Sequence, residues 1–136
     1  QKNKYTVNYH QNYDFAKELR NVLNEYPNKF LVGEVFGNLK TIREYIGDQD
    51  GLHAVFIFEM LKFKWNPKYF KTLISKIESQ FQSPSFPVYV FSNHDKKRSA
   101  SRLNGNLEKS KLLHFLQFTL RGIPFMYYGE ERDRIT

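Results

Sequence analysis

Three apolar segments of the sequence contain, or lead directly into, residues that could do acid or base chemistry. Glu34 lies within the run FLVGEVF, Glu59 follows LHAVFIF, and the string Asn93-His94-Asp95 comes just after PVYVF. A carboxyl group can donate or accept a proton, and a histidine can do either near neutral pH. A carboxylate within an apolar run is costly unless it is paired. Glu34 is therefore a reactive group, a glutamate on the exposed tip of a strand, or a member of a structural ion pair.

The other residues also have structural interpretations. An aspartate that leaves a strand, as Asp95 does, forms an Asx turn more often than it serves as a catalytic group. A single loop histidine such as His94 more often makes a hydrogen bond than binds a ligand. No histidine or carboxylate lies three or four residues beyond His94, and the chain has no cysteine. We therefore predict no metal site and no cofactor.

The elements that must position these residues alternate between strand and helix. Apolar runs of strand length occupy residues 30–36, 52–58, 87–91 and 123–128. Apolar residues at helical spacing predict a helix over 14–26 with Asp14 as its N-cap, and further helices over 41–46, from Pro67 to 81 and from about 107 to 121. This alternation predicts an α/β fold of parallel strands joined by right-handed crossovers. In such folds the reacting groups collect at the carboxyl ends of the strands.

Four segments of the chain together resemble a known family. LVGEVFG, LHAVFIFE, PVYVFSNHDKKRSASRLNG and LRGIPFMYYGEE are similar, in order and spacing, to the second half of the catalytic barrel of the α-amylase superfamily. The Asn-His-Asp string followed by Ser-Arg-x-x-Gly is similar to the branch of α-glucosidases and oligo-1,6-glucosidases. The resemblance implies that residues 1–136 form one partial domain, which supplies strands five to eight of a TIM (β/α)8 barrel.

The resemblance also implies a role for individual residues. Glu34 would be the general acid/base after strand five, and Asp95 the carboxylate that stabilises the transition state after strand seven. His94 would hydrogen-bond the sugar hydroxyls beside Asp95, and Arg98 and Arg102 would bind substrate near the aglycone. The implied activity is retaining hydrolysis of α-glucosidic bonds in α-glucans or in malto- and isomalto-oligosaccharides. Glu34 and Asp95 are then expected to face a common cleft.

One part of the family pattern is missing from the sequence. The family's nucleophile is an aspartate on strand four in a Gly-Phe-Arg-x-Asp type of segment, and the 136 residues contain no such segment. A complete barrel usually needs about 250 residues. The N-terminal half of the barrel and the C-terminal β-domain are therefore expected to be absent from this chain. Alone it should be inactive, and it should self-associate through its open sheet edges.

Alternatives from other functional classes stay open. The chain could be a non-catalytic sugar-binding or structural remnant in which the two carboxylates have no chemical role. Its net charge of +7 would permit nucleic-acid binding. We rank that alternative last, because the sequence has no nucleic-acid-binding motif and its aromatic residues fall on faces predicted to be buried. No apolar run reaches the ~18 residues of a membrane span, so no membrane partner is predicted.

Overall fold

A computed structural model describes residues 5–132 of the chain. Helices and strands alternate along these residues, and two short 3-10 helices, Phe58–Lys62 and Glu130–Arg132, follow β2 and β4. The helices are α1 (His10–Asn24), α2 (Leu39–Glu44), α3 (Pro67–Gln80), α4 (Ser99–Arg102) and α5 (Leu107–Thr119), and the strands are β1 (Val32–Gly33), β2 (Ala54–Ile57), β3 (Val88–Val90) and β4 (Ile123–Phe125).

The described residues form two compact units. The first consists of the chain up to Phe56 together with Ile77–Pro87, and the second consists of Ile57–Lys76 together with the chain from Val88 onward. Two of the elements, β2 and α3, run from one unit into the other.

Each unit contains a pair of parallel strands. In the first unit β1 pairs with β2, with Val32 opposite Ala54. In the second unit β3 pairs with β4, with Val88 opposite Ile123 and the register continuing for three residue pairs. Parallel strands linked by helices confirm the α/β class predicted from the sequence.

Two helix starts lie where the sequence predicts them. Pro67 is the first residue of α3, where a missing backbone N–H costs nothing. The Asn66 carboxamide oxygen accepts from the N–H groups of Lys68 and Tyr69 at 2.8 and 3.2 Å. In α5, the Asn106 side chain accepts from Lys109 N at 2.9 Å. Both caps satisfy backbone donors that a helix start leaves unpaired.

The prediction for α1 is wrong at its start. The helix begins at His10 rather than after Asp14, which lies inside it. The N-cap is Tyr9, whose backbone is extended and whose side chain makes no capping hydrogen bond. The sequence therefore gives no capping signal at the true start, and the capping tendency of aspartate pointed to a later one.

The strands are shorter than the apolar runs that predict them. The run over residues 30–36 forms a strand only at Val32–Gly33, and Phe30 and Val32 are exposed. The run over 87–91 forms a strand at Val88–Val90, although Phe91 and Ser92 beyond it are fully buried. Apolar composition therefore does not fix the length of a strand: in the run over 30–36 only Gly33 is buried, whereas after β3 the buried chain continues past the last ladder hydrogen bond.

The prediction that the aromatic residues are buried is also wrong in part. In α1 the only fully buried residue is Ala16, and Phe15 is 59% exposed. In α5, Phe115 is 66% exposed while Leu113 is buried. The periodicity correctly predicts the helices, but it does not reveal whether anything in this chain covers their apolar faces.

Gln117 connects α5 to both strands of the second unit. Its side chain is fully buried, and its Nε2 donates to the carbonyl oxygens of Tyr89 in β3 and Phe125 in β4, each at 3.0 Å. The Nδ1–H of His114 donates to the side-chain oxygen Oε1 of Gln117 at 3.1 Å. One amide thus fixes the helix against two neighbouring strands.

No helix among residues 5–132 is long and apolar enough to cross a membrane.

Candidate active site

Glu34 follows the last residue of β1 in the first unit and is exposed. The sequence places this carboxylate inside an apolar strand, whereas in the structure the strand ends one residue before it. The strand end is close-packed, because a Cβ added to buried Gly33 would come within 2.3 Å of the Leu52 side chain. Glu34 therefore projects from a tightly packed strand end without being buried itself.

Contacts on both sides of Glu34 hold its backbone. Before it, the Leu31 N–H donates to Nδ1 of His53 at 3.0 Å, and the Leu31 carbonyl accepts from the N–H groups of His53 and Ala54. After it, the Asn8 side chain donates to the Phe36 carbonyl at 2.7 Å. The chain that carries Glu34 is therefore anchored at residues 31 and 36.

An open hollow of about 450 Å³ lies beside Glu34 within the first unit. Most of its lining is apolar, and its polar side chains include Asn8, Asn12 and Glu34. Phe15 and Phe36, both exposed, also line it. A concave surface with an exposed carboxylate and carboxamides is suited to binding a polar ligand with an apolar face, such as a sugar ring.

His53 makes the anchoring of this segment dependent on pH. Burial lowers the pKa of His53, and the positive charge of Arg20 lowers it further. Its Nδ1 accepts the Leu31 N–H, so that contact requires the neutral ring. In the unfolded chain a histidine titrates near pH 6.5 and binds the proton more readily than folded His53 does.

We expect the chain to lose stability as the pH falls through about 6.5, because the unfolded state then takes up more protons than the folded state. Losing the hydrogen bond to Leu31 should cost about 1 kcal/mol. Thermal unfolding measured between pH 7.5 and 5.5 checks this. A His53→Asn variant should show a weaker pH dependence, while His10→Asn, at an exposed position, should keep the full slope. Equal slopes in the two variants would contradict this role for His53.

In the second unit, Asn93-His94-Asp95 forms the turn that follows β3. The Asp95 N–H donates to the Asn93 side chain at 3.1 Å, which is an Asx turn. The His94 Nε2 lies 3.4 Å from an Asp95 carboxylate oxygen, and the two side chains are 71% and 58% exposed. An exposed pair of this kind adds little to stability. Because both side chains are largely exposed, both are available to a ligand.

The structure shows internal contacts for the two arginines predicted to bind substrate. Arg98 is buried, donates to the Tyr128 carbonyl at 2.6 Å and lies over the rings of Tyr127 and Tyr128. Arg102 is half-buried and donates to the backbone carbonyl groups of Leu61, Phe91 and Lys97. Their contact with a sugar remains a prediction, since these interactions are all with the chain itself.

Burial lowers the pKa of Arg102, and the negative charge of Glu130 opposes that shift. Glu130 is itself buried, at 4% exposure, and accepts hydrogen bonds from the hydroxyl groups of Ser92 and Ser99. No role was predicted for Glu130 from the sequence. The available signal is that Glu130 follows the apolar run 123–128, as Glu34, His94 and Asp95 lie in or after apolar runs.

The remaining acidic candidate, Glu59, lies in the 3-10 helix after β2 and is half-buried. Among residues 5–132 no group of three or more histidine, aspartate or glutamate side chains is arranged to hold a metal ion.

Comparison of the chain with known protein families and proteins identifies those that it resembles. The model of the α-amylase catalytic domain matches residues 1–135. A probable α-glucosidase of Rhizobium meliloti is 30% identical over 93% of this chain and 24% of its own length. An oligo-1,6-glucosidase of Heyndrickxia coagulans is 30% identical over 94% of this chain and 27% of its own length.

Solved structures agree with this comparison. The crystal structure of the α-glucosyl transfer enzyme XgtA superposes with a TM-score of 0.82 at 29% sequence identity. The superposition covers 92% of this chain and 24% of that enzyme. This chain therefore spans about a quarter of the length of each of these three proteins. The expectation of a TIM-barrel fold is confirmed.

Proposed function

This chain belongs to the α-amylase family, and from that membership we propose that it supplies the acid/base and the transition-state-stabilising carboxylate of a retaining α-glycosidase. The proposed substrates are α-glucosidic bonds in α-glucans or in malto- and isomalto-oligosaccharides. Two exposed carboxylates beyond parallel strands support this proposal most strongly: Glu34 directly follows β1, and Asp95 lies in the turn after β3. Exposed carboxylates in those positions are available to substrate.

In this proposal Glu34 works twice. As an acid it protonates the glycosidic oxygen, so that the leaving sugar departs as an alcohol, and the nucleophile then holds the glucosyl group covalently. As a base it removes a proton from the water that hydrolyses this intermediate. This proposal assigns the nucleophile to an aspartate that is not among the 136 residues, since their sequence contains no segment of the Gly-Phe-Arg-x-Asp type.

Asp95 and His94 act on the sugar in the cleavage subsite. The transition state resembles an oxocarbenium ion, and its positive charge makes the ring hydroxyl groups better hydrogen-bond donors. A carboxylate that accepts from those hydroxyl groups therefore binds the transition state more tightly than the substrate. His94, which lies beside Asp95, contributes a second hydrogen-bonding group at the same hydroxyl groups.

A second candidate is transfer of the glucosyl group to a sugar instead of water. The match to the α-glucosyl transfer enzyme XgtA favours including it. Transfer and hydrolysis share the step in which Glu34 acts as an acid, and differ only in the acceptor that Glu34 then deprotonates. Analysis of the products that the active enzyme forms in the presence of excess maltose distinguishes hydrolysis from transfer, because transfer yields longer oligosaccharides.

A chimeric domain tests the proposal. Residues 1–135 replace the matching segment of the Heyndrickxia coagulans oligo-1,6-glucosidase, whose remaining chain supplies the rest of a catalytic domain. We expect this chimera to hydrolyse p-nitrophenyl α-glucoside, and the same chimera with Glu34→Gln and Asp95→Asn to lose that activity. A chimera that is folded by circular dichroism, binds maltose and is no more active than the double variant would instead support a non-catalytic sugar-binding role.

A further inference from the structure

The buried carboxylate of Glu130 closes the base of the loop that carries His94 and Asp95. One of its oxygens, Oε1, accepts from the Ser92 hydroxyl, at the start of the loop, and from the Ser99 hydroxyl, at its end, the latter at 2.5 Å. The other oxygen accepts from the Tyr127 N–H at 3.2 Å. Ser92 and Ser99 are also joined directly, since the Ser99 N–H donates to the Ser92 hydroxyl at 2.8 Å.

Arg102 ties together the same two ends of the loop through the backbone. Its guanidinium group donates to the Phe91 carbonyl, immediately before the loop, and to the Lys97 carbonyl at 3.1 Å near its end. A third donor reaches the Leu61 carbonyl at 2.6 Å. A buried acid and a half-buried base therefore hold residues 91, 92, 97 and 99 together, and we call these two side chains the loop clasp.

A carboxylate is an expensive group to bury for stability alone. Its transfer out of water costs several kcal/mol unless hydrogen bonds and a neighbouring charge offset it, and an apolar side chain could fill the same volume without that cost. Three hydrogen-bond donors converge on Glu130, and charged hydrogen bonds of this kind are short and directional. The arrangement thus favours a fixed geometry of the loop over simple filling of space.

The contacts of Asp95 itself do not fix the position of the loop that carries it. Its side chain is 58% exposed, and its backbone contact is to Asn93, inside the same loop. Neither feature fixes where the turn lies relative to the rest of the second unit. The Glu130 carboxylate instead holds the loop at its ends, three residues before Asp95 at Ser92 and four residues after it at Ser99, and thereby limits where the Asp95 carboxylate can lie.

We propose that Glu130 is a positioning residue for Asp95, acting through Ser92 and Ser99 to hold the loop in the arrangement that transition-state stabilisation requires. The proposal rests on the proposed function for the role of Asp95. It does not require Glu130 to touch the substrate. A displacement of about 1 Å in a catalytic group can cost about 100-fold in rate.

Amide hydrogen exchange, measured on the chain itself, tests whether Glu130 holds the base of the loop, and it does so independently of activity. Glu130→Gln replaces one carboxylate oxygen by a donor, so the side chain can no longer accept from all three groups. The Ser99 amide should then exchange about tenfold faster or more, because the loop base opens more often. Glu131→Gln, the same change at the exposed neighbouring residue, should leave that rate unchanged. Unchanged exchange in Glu130→Gln would overturn the proposal.

Steady-state kinetics of the chimera test whether Glu130 positions Asp95 for catalysis. Glu130→Gln should lower kcat by about 10- to 100-fold with a smaller change in KM. In an Asp95→Asn background the same substitution should cost less than about threefold, because there is no longer a carboxylate to position. An equal loss in both backgrounds, or an unchanged kcat despite faster exchange, would overturn the proposal. If Asp95→Asn keeps full activity, the proposed function fails, and the exchange result still reports on the clasp.

Discussion

Replacing Glu34 by glutamine in the chimera should lower kcat for oligosaccharide hydrolysis by about 10²–10⁴-fold, the usual contribution of a general acid or base. Glutamine keeps the shape of the side chain but has no proton to give to the leaving oxygen. Compared as kcat/KM, which reports formation of the glycosyl-enzyme, the loss should be much smaller for p-nitrophenyl α-glucoside, because p-nitrophenolate leaves without protonation. Steady-state kinetics on isomaltose and on the aryl glucoside measure this difference.

Azide provides an independent measurement of the same role. In a Glu34→Ala variant no base remains to activate water, so the glycosyl-enzyme intermediate accumulates. Azide is already an anion and attacks C1 directly, displacing the carboxylate of the nucleophile and giving α-glucosyl azide. Glu59→Ala, the matched change at the carboxylate that follows β2, should show neither the loss nor the rescue. A Glu34→Ala variant with equal losses on both substrates and no rescue would contradict the acid/base role.

Asp95→Asn should lower kcat of the chimera by about 10²–10³-fold, the magnitude typical of a group that stabilises charge in the transition state. Asparagine keeps the size of the side chain, and the turn is retained because Asn93 accepts from the backbone of residue 95. The substitution removes the negative charge of the carboxylate, which stabilises the oxocarbenium-like transition state more than the neutral substrate. KM should therefore change much less than kcat.

Asp48→Asn is the matched control for this substitution, since Asp48 is also exposed and lies in a loop of the first unit. Its kcat should equal that of the unmodified chimera. Unlike Glu34→Gln, Asp95→Asn should lose activity on isomaltose and on the aryl glucoside to the same degree, because its role does not depend on the leaving group. A kcat within about threefold of the unmodified chimera would remove Asp95 from the mechanism.

The parts of the fold that depend on local signals could be predicted from the sequence. Pro67 and Asn106 mark the starts of α3 and α5 through their own backbone chemistry, and each apolar run contains a strand. The start of α1 could not be predicted in this way, because the side chain of its N-cap Tyr9 makes no capping hydrogen bond. The exposure of Phe15 could not be predicted either, since amphipathic spacing does not show what covers a helix face.

The candidate site follows the same division. Glu34, His94 and Asp95 could be found because each lies at or just beyond an apolar run, and the family motifs assign them roles. The surroundings of Glu130 could not be found, because its partners Ser99 and Ser92 lie 31 and 38 residues earlier in the chain. The sequence does not distinguish a buried glutamate from an exposed one. Only the fold shows that Glu130 is buried while Glu131 is exposed.

The loop clasp also affects how this region can diverge in evolution. Glu130 and Arg102 hold the loop through side chains and carbonyl groups at its two ends, so the tip at residues 93–96 has little part in keeping it closed. Mutations at the tip can therefore accumulate without unfolding the domain, while mutations at the base cannot. A family that keeps the base together with His94 and Asp95 can vary the other residues of the tip and acquire new sugar preferences in small steps, each of which passes through a folded protein.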